Sequence, residues 1–78
     1  MRNYIEILEE IDSKLKHTEF ENFRIEIEIP FRSYCSALEI CYEVKSKIKN
    51  FELNNGKIRN LIGTQIDEFY DYCKFNKM

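Results

Sequence analysis

The stretch Phe23-Arg24-Ile25-Glu26-Ile27-Glu28-Ile29-Pro30 decides how the chain folds. Phe23, Ile25, Ile27 and Ile29 alternate strictly with Arg24, Glu26 and Glu28, so an extended backbone puts four apolar side chains on one face and the charges on the other. That alternation predicts a β-strand over residues 23–30. A strand carries a row of unpaired backbone donors and acceptors along each edge. It therefore has to pair with a second strand in this chain, in a twin chain or in a partner protein.

On the amino-terminal side, Tyr4, Ile5, Leu8, Ile11 and Leu15 recur at helical steps and predict an amphipathic helix over residues 3–16. Glu6, Glu9 and Glu10 lie early in it and Lys14, Lys16 and His17 late, as the helix dipole favours. Thr18 to Asn22 connects it to the strand, with Phe20 as an apolar anchor. On the other side, residues 31–49 carry two competing periods. Leu38, Ile40, Tyr42 and Val44 alternate as in a strand, whereas Arg32, Ser36, Glu39, Glu43, Ser46 and Asn50 form one polar stripe at helical spacing. The helical period covers more of the segment and is preferred, opened by Pro30 or capped by Ser33, with Asn50 just past its end. Asn54 then caps a last helix, stapled by Leu53 and Ile58, whose inner face is Ile58, Leu61, Ile62, Ile66, Phe69 and Cys73. The competing reading starts that helix at a Thr64–Asp67 capping box and turns Asn55-Gly56 into a hairpin. The expected fold class is thus α+β, mostly helical, in a single small domain spanning 1–78: an amino-terminal helix, one strand, then two helices. The alternative is α-β-β-α with a hairpin or small antiparallel sheet.

Seventy-eight residues bury a modest core, a size at which contact with a partner adds appreciably to stability. Apolar residues make up 44% and charged residues 33%, too apolar for a disordered chain. The net charge of −2 hides a polarity along the sequence. Residues 1–28 hold eight carboxylates against four basic side chains, while residues 45–59 hold five basic side chains against Glu52 alone. No apolar run approaches the length of a membrane helix, and three cysteines without close pairing suit a reducing compartment, so a cytoplasmic protein is expected. The Lys, Ile and Asn content suits an AT-rich, phage-like coding sequence.

Catalytic chemistry finds little footing. His17 has no serine or cysteine near it in a nucleophile–base pattern, and Cys35, Cys41 and Cys73 lack metal-ligand spacing. Gly56 and Gly63 form no phosphate loop. The reading is a protein that is not an enzyme, with no cofactor and no metal.

Two binding readings remain. The order strand, helix, turn, helix over residues 23–73 resembles that of ribbon-helix-helix repressors, and the resemblance implies a homodimer whose paired strands enter the DNA major groove. Arg24 would then face the bases, with Asn55, Lys57 and Arg59 gripping phosphate. Because Glu26 and Glu28 would face the same phosphate-lined groove, the preferred reading is a small acidic protein that binds and regulates or inhibits another protein. This is the profile of an anti-defence, antitoxin or immunity protein. Its partner would present a basic surface to Glu6, Glu9, Glu26 and Glu28, with Tyr70, Tyr72 and Phe75 adding apolar contact, and dimerisation is expected.

Overall fold

The computed structural model describes residues 2–33 and 36–78, and these form four helices: α1 Tyr4–Leu15, α2 Glu21–Ser33, α3 Ala37–Asn54 and α4 Ile58–Phe75. At 1.5 Å per residue the helices run about 18 to 27 Å, within extents of 30 × 23 × 21 Å. The main contacts are α1 with α2, α2 with α3, α3 with α4 and α4 with α1, a closed ring. Cross-helix pairs give the directions. The start of α1 meets the end of α4 through Tyr4 and Tyr72, and the start of α2 meets the end of α3 through Phe23 and Phe51. The end of α3 meets the start of α4 through Glu52 and Arg59. Neighbouring helices are thus antiparallel, an up-down-up-down bundle joined by short connectors.

The predicted strand over residues 23–30 is helix, and among the described residues there is no strand. The α+β class and the α-β-β-α alternative are both overturned. Within eight residues, alternate apolar positions satisfy two periods. Phe23 and Ile27 are spaced for a helix as well as for a strand, and the buried set Phe20, Phe23, Ile27 and Pro30 follows the helical steps of three and four. Charge adds to the helical side of the local contest. Glu21, Arg24, Glu28 and Arg32 fall three, four and four residues apart, and on the helix they form consecutive ion pairs. Ile25 and Ile29 are left outward, 44% and 55% exposed.

Pro30 lies inside α2 instead of opening the next helix. It removes the N–H that would reach the Glu26 carbonyl, and α2 runs only three residues further. The expected helix over 31–49 is therefore divided. Residues 31–33 belong to α2, and α3 begins at Ala37 after Ser36, whose side chain makes no capping bond. That helix also outlasts Asn50 and takes in Leu53 and Asn54, which were expected to staple and cap the next one. Instead Asn55 closes α3, its Nδ2 donating to the Phe51 carbonyl at 3.2 Å. Residues 58–75 are helical with a bend at Ile62 (φ −130°, ψ 22°), directly before Gly63, so the run expected from Thr64 is the second limb of α4.

The turn between α1 and α2 is built from side-chain bonds. His17 adopts φ 63°, and its N–H donates to Glu21 Oε2 at 2.7 Å. Thr18 Oγ1 donates to the Leu15 carbonyl at 2.6 Å and accepts from the Phe20 N–H at 3.1 Å. One threonine thereby ends α1 and starts the approach to α2. The core inside the ring contains Ile7, Ile11, Leu15, Val44, Ile48, Ile62, Ile66 and Phe69, all fully buried.

Candidate functional site

The packing between α1 and α2 is incomplete and leaves a groove of about 300 Å³. Leu8, Ile11, Ile27 and Phe31 give it apolar walls, and Glu9, Asp12, Arg24 and Glu28 add the charge. Helical spacing explains the grouping: Ile11 and Asp12 lie one turn beyond Leu8 on α1, and on α2 Ile27 and Glu28 lie one turn beyond Arg24, with Phe31 a turn further.

Arg24 ties the two helices together beside the groove. Its Nη1 donates to Asp12 Oδ1 of α1 at 2.9 Å and lies 3.6 Å from Glu28 Oε2, and its Nη2 donates to Glu21 Oε1 at 2.6 Å. The hydrogen bond to Glu21, followed by that to Asp12, raises the Arg24 pKa further above its usual value. The same bond holds Glu21 below the ordinary carboxylate range, with the His17 N–H adding to it. Glu28 is also paired with Arg32 of its own helix at 2.6 Å. Glu9 has no ion-pair partner among the described residues, and the groove keeps a net negative rim.

The sequence-derived acidic set divides. Glu9 and Glu28 come together at the groove, whereas Glu6 and Glu26 are exposed and do not line it. On the expected strand Glu26 and Glu28 would share a face, but two residues along a helix turn side chains about 160° apart. Leu8, Ile11, Asp12, Ile27 and Phe31 were missed as site residues. For Ile27 and Phe31 the signal was present in the helical spacing of Glu21, Arg24, Glu28 and Arg32, which places them beside that charged stripe on α2.

The aromatic set divides in the same way. Tyr72 stacks at a tilt on Tyr4 of α1, with centroids 5.9 Å apart, while Tyr70 turns towards α3 beneath Lys49. Burial first, then the charge of Glu52, pushes the Tyr70 hydroxyl up to about 12. That hydroxyl and Glu52 Oε1 are buried without a hydrogen-bond partner among the described residues. Phe75 alone remains open, 75% exposed.

The four residues assigned to DNA contact are largely engaged elsewhere. Arg24 is held by three carboxylates, Arg59 pairs with Glu52 and Asp67, and Asn55 closes α3; only Lys57 is unengaged among the described residues. The ribbon on which the ribbon-helix-helix resemblance rests is a helix. Cys41 and Cys73 face each other, fully buried, across α3 and α4, and burial pushes the Cys41 thiol up to about 12. The reading of Cys35 lies outside the described residues, and among those residues no three His, Cys, Asp or Glu side chains converge as a metal site. No described helix is long and apolar enough to cross a membrane. In comparisons with known proteins, the chain matches no family model, no curated protein and no solved structure.

Proposed function

We propose that the chain is a non-catalytic module that works in the cytoplasm by binding a basic surface of another protein, regulating or inhibiting it through the outer side of α1 and α2. The observation that carries this reading is the groove between those helices, apolar within and acidic at its rim. Carboxylates around an apolar cleft steer a cationic partner and orient it, while burial of its apolar side chain supplies affinity. Glu6 and Glu26, exposed and without an ion-pair partner among the described residues, extend the negative field beyond the cleft. The role proposed is that of a small inhibitor of the anti-defence, antitoxin or immunity kind.

The test is capture of the stoichiometric partner from the native host, followed by titration with the variant carrying Glu6→Lys, Glu9→Lys, Glu26→Lys and Glu28→Lys. Affinity should fall at least tenfold and the salt dependence should flatten. Binding unchanged in both respects contradicts the reading.

A further inference from the structure

The chain carries its own complement to the α1–α2 groove. Phe75, the most open phenylalanine, stands between Lys74 and Lys77, both exposed and neither ion-paired among the described residues. The backbone holds this group in a fixed shape. Lys77 is left-handed at φ 58°, its N–H donates to the Lys74 carbonyl at 3.1 Å, and the Met78 N–H donates to the Cys73 carbonyl at 2.7 Å. These are the two bonds of a Schellman motif, and Asn76 Nδ2 adds a third to the Tyr72 carbonyl at 2.8 Å. The aromatic knob with its two flanking cations is thus preorganised, which lowers the entropic cost of docking it.

The groove has the opposite chemistry. Leu8, Ile27 and Phe31 offer apolar walls, and its volume of about 300 Å³ has room for one aromatic side chain. Glu9 and Glu28 stand at the rim, and Glu9 lacks an internal ion-pair partner among the described residues.

We infer that the groove is the docking site for a second copy of this chain, with Phe75 of one copy inserted between α1 and α2 of the other and Lys74 and Lys77 set against Glu9 and Glu28. The groove lies between α1 and α2, and the knob ends α4, which also packs on α1; in the inferred dimer the two copies exchange knobs reciprocally across a two-fold axis. A contact built on two aromatic anchors and a charged rim falls in the weak, transient class, with a dissociation constant on the order of 10–100 μM. The inference stands apart from the partner reading: a copy seated in the groove covers the surface that a partner would use, so self-association and partner binding compete.

Sedimentation equilibrium of the full chain from low micromolar to millimolar concentration tests this. The wild type should pass from monomer to dimer, and more weakly at high salt. Phe75→Ala, at an exposed position that the core does not need, should weaken dimerisation at least tenfold with an unchanged circular dichroism spectrum. Glu9→Lys with Glu28→Lys in one sample, and Lys74→Glu with Lys77→Glu in another, should each be monomeric. Their equimolar mixture should form a heterodimer, and Glu9→Lys alone serves if the double variant is less well folded. A wild type that stays monomeric at millimolar concentration, a dimer indifferent to Phe75→Ala, or charge-reversed samples that fail to combine on mixing would overturn the inference. None of those results bears on partner capture, so the two readings fail separately.

Discussion

The helix α1 makes two seams, one with α4 and one with α2, and they end differently although similar side chains clamp them. On the α4 side, Arg2 bridges Glu10 of α1 and Glu68 of α4, and the buried Gln65 donates to Glu10 Oε1 at 2.6 Å. Behind that network Ile7, Ile66 and Phe69 leave no exposed surface. On the α2 side, Arg24 plays the bridging part between Asp12 and the carboxylates of α2, yet a groove opens beside it. The difference lies in apolar volume. A Phe and several Ile are sealed at the first seam, whereas at the second the groove is bordered on α2 by Ile27 and the half-buried Phe31, and Ile25 and Ile29 turn to solvent. An arginine clamp sets which helices meet, and side-chain volume sets whether the meeting is sealed.

The largest expected contrast comes from truncating the two seams. Phe69→Ala should cost about 3–5 kcal/mol in denaturant unfolding, because the surrounding helices cannot close over so large a void. Phe31→Ala, at the half-open groove, should cost no more than about 1–1.5 kcal/mol, because solvent already reaches the site. Equal losses would mean that the groove is as sealed as the core.

Acid should loosen the two clamps unequally. Glu10, Glu21 and Glu68 are held below the ordinary carboxylate value of 4.5, Glu10 and Glu68 chiefly by Arg2 and Glu21 by Arg24. Their folded pKa values lie below the unfolded ones, so the folded state binds fewer protons. Their contribution is complete above the unfolded value and is lost as pH falls through the folded values. Thermal midpoints should be flat from neutrality to about pH 5.5 and fall below about 4.5. Arg2→Met, which frees two of these carboxylates, should flatten that fall more than Arg24→Met does. The reverse order would place the stronger clamp at the open seam.

The smallest effect concerns the turn that brings α2 to α1. His17 holds φ 63° without being glycine, a strain of about 1–2 kcal/mol. Glycine there relieves it at an unfolded-state cost of about 0.5–1 kcal/mol. His17→Gly should therefore gain about 0.5–1 kcal/mol in urea unfolding, and a loss would show that the imidazole itself supports the turn.

Much of the helical content was legible. Tyr4, Leu8, Ile11 and Leu15 marked α1, and Ile58, Ile62, Ile66, Phe69 and Cys73 marked the buried face of α4, because their period runs unbroken for several turns. The failure at residues 23–30 has a definite cause: eight residues with strict alternation are too short to separate a period of 2 from one of 3.6, and Ile25 and Ile29 tipped the balance although both are outward. Extending the window to Phe20 and Phe31, and pairing Glu21, Arg24, Glu28 and Arg32 by charge, favours the helix. The groove was not legible, since it exists only where α1 and α2 fail to fill the space between them. Of its charged rim, Glu9 and Glu28 were anticipated as contact residues, grouped with Glu6 and Glu26 by the acidic charge of the amino-terminal half.

Everything proposed for the groove depends on residues 21–33 being helical, and urea unfolding of two variants tests that most directly. On the helix Ile27 is buried while Ile25 and Ile29 face solvent. Ile27→Ala should cost about 2–4 kcal/mol. The double variant Ile25→Ala with Ile29→Ala should stay within about 0.5 kcal/mol of wild type, because alanine suits an exposed helical position. A double variant that loses as much as Ile27→Ala, or more, would put all three isoleucines on one buried face. The segment would then be a strand, and the α1–α2 groove would not exist.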